Sequence, residues 1–473
     1  MLSRVYLALL ALIAASCSMR AFAGEESDGG TPKRLTSLRW RVPSVPDRDE
    51  EKTVQELAEY MAGEERFFLP QFVPVVSDEW IFMRTLRRVM AVKESTGKRR
   101  WEYPWLEMGN VWKNSVSKAR SGLEGMNSFF LEQRLWRDAV FADLTVGGGK
   151  VFALDKLRMH SLSRRTRVLT LIGPPALSAN ELVAFDIAKE GKLRWIVGGK
   201  TGGDDNKTGG MFFLGSGLYR DGKLLTLALK DGALLVVQLD ADTGKHQWNL
   251  QITSLAASSP ASQTTPLRLG GIRPLLIGKL LICPTSLNQV IAVDIDKQKI
   301  AWTFNDETPP RLSARHLEQY RLHWLDNSAF GAGENVVIVT PLDSAKVFGL
   351  DAATGEERWQ AEAGEARLAA VHGETVLLLG RDAVSTRRAS DGKPLWDGRT
   401  LRLPEDTRLS GRGTFDDDLY LLPTTGKQLL AVDVKAGKIV EQFETPSVFG
   451  NLQVRGDFLY SQNVESVEKF RWK

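Results

Sequence analysis

From about Pro70 onward the chain shows short, mostly apolar segments of five or six residues, at 150–154, 224–228, 233–238, 336–340 and 375–379, separated by Gly, Asp and Lys. Apolar runs this short, bounded by turn residues, predict buried or half-buried strands and not helices. Upstream, residues 24–69 are charged and punctuated by proline, with one helix-period stretch at 49–61. Asp49 is placed to cap that helix, Glu50 and Glu51 suit its positive end, and Val54, Leu57 and Met61 recur at helical spacing. The pattern therefore predicts a short leader with one helix, followed by a body of strands from 70 to 473.

The body repeats itself. The segments AVKESTGKRRW (91–101), AFDIAKEGKLRW (184–195), QLDADTGKHQW (238–248), AVDIDKQKIAW (292–302), GLDAATGEERW (349–359), TRRASDGKPLW (386–396) and AVDVKAGKIVE (431–441) are seven copies of one pattern. An acidic slot is followed eight residues later by Trp in five copies; one residue is inserted before Trp195, and Glu441 stands in the last Trp slot. Lys93 and Arg388 replace the acidic residue in two copies, and Gln298 replaces the glycine in the fourth. An Asp side chain accepts from backbone N–H groups two and three residues ahead, and glycine takes the positive φ that closes the turn, so each copy predicts a strand, a tight turn and a strand. The small residue two places before the acidic slot (Ala91, Ala184, Ala292, Gly349, Ala431) leaves room for a ring, expected to come from an adjoining sheet. Six of the 13 tryptophans are thereby assigned to packing.

Successive Trp slots lie 94, 53, 54, 57, 37 and 45 residues apart, most of them close to the length of a four-stranded propeller blade with its loops. The longest interval holds an insertion at about 107–135, helix-like at 126–135. After the seventh copy, strands at 457–460 and 464–470 begin a blade that lacks its closing turn, and strands between Phe72 and Phe82 are available to complete it. The expected fold is all-β: an eight-bladed β-propeller of four-stranded antiparallel blades, with seven blades as the fallback.

The A-x-D-x-x-T-G-x-x-x-W pattern, clearest in AVKESTGKRRW and LDAATGEERW, resembles the repeat of the PQQ-like, or quinoprotein-like, propellers across about residues 70–473. That resemblance implies one of two kinds of protein: PQQ- and calcium-dependent alcohol or sugar dehydrogenases, or non-enzymatic propellers such as BamB, an outer-membrane assembly lipoprotein. The alcohol dehydrogenases of the family place a disulfide of adjacent cysteines against the quinone, and this chain has no Cys-Cys pair. No segment matches their calcium-ligand or catalytic-Asp motifs, so no catalytic, cofactor-binding or metal residue is assigned.

Composition and charge narrow the reading further. With 43% hydrophobic and 25% charged residues the chain can build a core, and a net charge of +4 over 473 residues gives no basic field for nucleic acid. Residues 1–23 read as a signal peptide: Arg4, an apolar run at 5–15, and Ala21-Phe22-Ala23 as the cleavage form. Cys17, after Ala14-Ala15-Ser16, offers the alternative of a lipid anchor. The mature chain then has no transmembrane segment, and Cys283, alone in an apolar run, is expected to be buried as a small hydrophobe.

Other chemical motifs are weak. His160, His246, His316, His323 and His372 show no zinc spacing; Gly198-Gly199-Lys200-Thr201 lacks the first glycine of a phosphate loop; Asp240 to Gly244 and Asp416-Asp417-Asp418 lack the distal Glu of a calcium loop. The loop 202–210, with Asp204, Asp205 and Asn206, reads as a flexible polar segment, a solvated loop before a partner-binding one. The sequence thus points to an exported, non-catalytic propeller, a monomer, that binds envelope proteins in the periplasm or another extracytoplasmic space. The alternative is a PQQ- and calcium-dependent quinoprotein oxidoreductase.

Overall fold

In the computed structural model, the acidic side chain closes the turn wherever a repeat has one. Asp240 Oδ1 accepts from the N–H groups of Asp242 (3.1 Å) and Thr243 (2.8 Å), Asp351 from Ala353 and Thr354 (both 2.9 Å), and Asp433 from Lys435 (2.9 Å) and Ala436 (2.8 Å). Gly244, Gly355 and Gly437 follow at φ of 70°, 75° and 65°. Gln298 takes the same region at 52°, a conformation that costs a side chain about 1–2 kcal/mol. The structure describes residues 35–45, 48–63, 69–77, 79–86, 88–103, 132–157, 160–162, 169–171, 179–254, 268, 270–285, 289–307, 328–333, 335–341, 344–364 and 366–473. The signal-peptide reading, Cys17, His316, His323 and most of the 107–135 insertion fall outside them.

The hairpins assemble into eight antiparallel sheets, the blades of a β-propeller. Blade 1 comprises Val75–Val76, Trp80–Arg84, Val89–Lys93 and Arg99–Tyr103 from the inside outward. Blades 2 to 7 occupy residues 144–203, 212–254, 275–305, 329–362, 367–402 and 414–444. Blade 2 has a fifth strand, Gly202–Gly203, outside Lys192–Gly198; in blade 3 both Phe212–Phe213 and Leu218–Arg220 pair with Lys223–Lys230. Eight blades, not the fallback of seven, form the ring.

Closure differs from the expectation. Asn451–Arg455, Phe458–Gln462 and Ser466–Trp472 supply the inner three strands of blade 8, and Leu35–Pro43 adds the outermost, antiparallel to Ser466–Trp472. The strands between Phe72 and Phe82 belong to blade 1 instead. Blade 8 lacked only an outer, Trp-bearing strand, and Trp40 lies in a segment that can provide it.

Tryptophan packing also needs a correction. Opposite four of the five small residues the ring comes from the neighbouring strand of the same sheet: Trp101 pairs with Ala91, Trp195 with Ala184, Trp302 with Ala292 and Trp359 with Gly349, while Ala431 pairs with Glu441. From there the ring extends over the turn glycine of the next blade. Trp195, Trp302, Trp359 and Trp396 cover Gly244, Gly355, Gly392 and Gly437, where a Cβ would collide with the ring. Each donates its indole N–H to the carbonyl three residues before that glycine: Ala241 (3.1 Å), Ala352 (3.0 Å), Ala389 (2.7 Å) and Val434 (2.7 Å). Trp40 closes the ring the same way, over Gly97 and onto the Glu94 carbonyl at 2.9 Å. Trp248, whose repeat precedes the one with Gln298 in place of glycine, stays half-buried. At the junction where Glu441 replaces Trp, the direction reverses: Trp472 of blade 8 donates to Asp416 Oδ2 of blade 7 at 2.7 Å.

The leader helix runs Arg48–Gly63, starting one residue earlier than expected, which places Asp49 in its first turn. Its Val54, Leu57 and Met61 join Phe72, Leu135, Trp136, Phe141 and Val464 in one apolar cluster. Of the helix-like stretch at 126–135, only the end is described: it runs into a π-helical turn, Gln133–Arg137, followed by the short helix Ala139–Ala142.

Candidate functional surface

Because each strand runs antiparallel to the next, the connections of a blade alternate between two faces of the ring. The Asp-closed turns all fall on one face. The links between blades, and those between each blade's second and third strands, fall on the other. This second face carries the leader helix, between the outermost strand of blade 8 and the innermost of blade 1, and the segment 132–142, between blades 1 and 2. Long connections over a rigid ring form the kind of surface on which propellers present contacts.

Beneath the helix, this face holds an unusual charge arrangement. Arg84, at the end of a strand of blade 1, is 6% exposed, and its guanidinium lies 3.9 Å from the centre of the Phe141 ring; Arg134 lies 4.0 Å from the same ring. Arg134 donates to Asp138 and to the Leu157 carbonyl (2.9 Å), and Asp138 caps Ala139–Ala142 by accepting from Phe141 N–H at 2.8 Å. Asp155 is engaged by the Tyr103 hydroxyl (3.2 Å) and by its neighbour Lys156 N–H (2.7 Å). Arg84 is left with aromatic contact and no hydrogen bond at Nε. Burial brings its pKa down to about 10, so it stays charged at neutral pH; burial, followed by the charge of Asp155, pushes the Tyr103 hydroxyl up to about 12. The arrangement holds charges still beneath a surface.

The residues singled out by sequence are scattered around the ring. His246 Nε2 meets Asn249 Oδ1 at 3.0 Å in blade 3, His372 stacks on Phe415 with centroids 4.6 Å apart, and His160 begins the strand His160–Leu162. Gly198 ends a strand and is followed by a loop, not by a helix that could hold phosphate. Asp240 is the turn residue described above, Asp416 receives Trp472, and Asp418 pairs with Lys435 at 2.7 Å. Cys283 is buried, and desolvation raises its thiol well above the ordinary range. Among the described residues no three His, Cys, Asp or Glu side chains come together in a group that could hold a metal ion.

The 202–210 loop clamps blade 2 to blade 3. Gly202–Gly203 pairs with the outer strand of blade 2, Asp204 Oδ2 accepts from Ile196 N–H (2.8 Å), and Thr208 Oγ1 receives Gly198 N–H (2.9 Å). Asp205 Oδ2 then reaches across to His246 N–H of blade 3 at 2.6 Å. Sequence reasoning missed this clamp, the closing role of Trp40, and the Arg84–Phe141–Arg134 arrangement. The run of glycines and aspartates at 202–210 was the available signal for the first. Trp40, in a segment otherwise set aside as leader, was the signal for the second.

The family model described as outer membrane protein assembly factor BamB matches residues 178–367 and 321–459. Among solved structures, BamB from Moraxella catarrhalis is similar over 85% of this chain and 96% of its own, at 14% identity and a TM-score of 0.52. The computationally designed Ika8 protein is similar over 86% of this chain and 98% of its own, at 10% identity and a TM-score of 0.50. At such identities the two structures speak for the fold alone. No curated protein matches the sequence.

Proposed function

The chain belongs to the PQQ-like repeat family of the outer membrane protein assembly factor BamB, and on that premise we propose that it is an exported scaffold that takes part in assembling outer-membrane proteins by binding other envelope proteins. The observation that carries this reading is the family match, which spans most of the ring. The face bearing the leader helix and the long connections supports it as the contact platform. No helix among the described residues is long and apolar enough to cross a membrane.

In this reading the propeller is non-catalytic and uses neither PQQ nor calcium. Calorimetric titration with PQQ, with and without calcium, is expected to give no saturable heat; stoichiometric binding with dye-linked oxidation of alcohols or sugars would replace the scaffold by a dehydrogenase. Deleting the gene is expected to lower the amount of folded outer-membrane protein, with restoration by the wild-type copy. Unchanged outer-membrane protein content, together with no cross-link to any envelope protein in living cells, would overturn the proposal. Mass spectrometry of the mature N-terminus places the protein in the envelope directly: a chain starting near Gly24 is soluble after export, one starting at an acylated Cys17 is anchored, and an intact Met1 contradicts export.

A further inference from the structure

Among the described residues, seven of the eight junctions of the ring are fastened by an indole. Trp40, Trp101, Trp195, Trp302, Trp359 and Trp396 lie over the turn glycines Gly97, Gly191, Gly244, Gly355, Gly392 and Gly437 of the next blade, and Trp472 reaches back from blade 8 to Asp416. The junction between blades 3 and 4 is the exception. At each of those six glycines an added Cβ would collide with the ring, and the corresponding turn of blade 4 carries Gln298, which has that Cβ. Trp248, in the ring-bearing slot of blade 3, is half-buried where the six indoles are buried, and its N–H donates to none of the described residues.

On the turn face, Arg220 of blade 3 donates to the Gly278 carbonyl of blade 4, and around that contact a cavity of about 180 Å³ is lined by Lys223 and Leu225 from blade 3 and by Lys279, Ile295 and Asp296 from blade 4. Ile295 stands where Ala241, Ala352, Ala389 and Val434 offer an indole their carbonyls at other junctions. Deeper in, the two blades meet through apolar side chains alone: Leu281, Cys283, Ile291 and Val293 of blade 4 join the cluster that contains the sheet of blade 3. Ile282 belongs instead to the cluster shared with blade 5, so the Cys283 thiol lies on the blade 3 side of its sheet.

We propose that the junction between blades 3 and 4 is the joint at which the ring opens, parting into a C while the other junctions and the strands within each blade stay intact. The joint is a property of the ring and stands apart from the proposed envelope role. Cys283 reports on it directly. In a Cys17→Ser chain it is the only thiol, and it is fully buried, so it reacts only when the joint parts or the whole fold is lost. Labelling by a thiol reagent across low urea concentrations is expected to reveal an opening that is cheaper, and less dependent on urea, than global unfolding. Val339 holds the same place in blade 5, in the cluster shared with blade 4, across the junction that Trp302 fastens. With Cys283→Val, Val339→Cys is expected to label at least about tenfold slower, each chain being compared with its own global unfolding. Gln298→Gly removes the Cβ, lets Trp248 dock, and is expected to slow Cys283 labelling. Labelling of Cys283 through global unfolding only, equal labelling at the two positions, or a Gln298→Gly chain that labels as fast as its parent would each overturn the proposal.

Discussion

The indole of Trp359 touches Gly349 in its own sheet and covers Gly392 in the next, and its N–H reaches Ala389. One side chain thus joins cross-strand packing, the turn and the junction between blades. Trp359→Ala should cost about 3–5 kcal/mol in urea unfolding, because it leaves a cavity between two rigid sheets. Trp359→Phe keeps most of the ring and loses the hydrogen bond, so a smaller loss is expected, and equal losses would mean that ring volume is not what matters. The buried arginines call for the opposite comparison. Arg134 neutralises Asp138, and Arg134→Met strands that carboxylate at about 3–5 kcal/mol. Arg84 packs on Phe141 and feels Asp155 and Asp138 through their charge without a close ion pair like that of Arg134, so Arg84→Met is expected to cost clearly less than Arg134→Met. A large loss at Arg84 would show that it has a counter-charge beyond those seen here.

At the level of elements, the strands and turns of the repeat were legible because their chemistry is local: Asp351 and Gly355 lie within one turn and specify it without help. What the sequence hid were contacts between segments far apart in the chain. Leu35–Pro43 pairs with a strand at the far end of the chain and is not joined to it by a repeat turn, so Trp40 carries no repeat signature, yet it docks as the others do. Its acceptor residue also differs. Ala241, Ala352, Ala389 and Val434 fill that place elsewhere, but Glu94 there receives both Lys469 Nζ and the Tyr460 hydroxyl. Burial alone would raise the Glu94 carboxyl, but these hydrogen bonds outweigh it and hold the pKa below the usual value. The ring is thus closed without a covalent link, by a strand, an indole and a largely buried ion pair. Glu94→Leu leaves Lys469 buried without its partner and should cost about 3–5 kcal/mol, whereas the double change Glu94→Leu, Lys469→Met should recover most of that loss. Equal losses in single and double variants would mean that the pair contributes nothing specific to closure.

Across the whole molecule, the hidden and the legible parts divide by face. The Asp-turn face is written in the repeat, while the opposite face is built from the leader helix and the blade connections, which obey no repeat and whose packing, as at Arg84 and Phe141, depends on neighbours distant in sequence. The repeated face has a collective acid response. Asp294 is held below the usual carboxylate value chiefly by the Lys297 N–H and Asp351 chiefly by Arg358; at Asp240 a burial penalty is outweighed by the hydroxyl and N–H of Thr243. Groups depressed in the fold contribute stability above their unfolded pKa, about 4, and lose it as pH falls through the folded values, because the unfolded chain then binds more protons. Unfolding free energy should therefore stay level on this account from pH 7 to about 5 and decline below about 4 as several turns lose their carboxylates together. Denaturant titrations at stepped pH test this, with Asp351→Asn expected to flatten the acid limb. An acid limb unaffected by that change, or stability that is retained well below pH 3, would show that the turns do not set the acid limit of the ring.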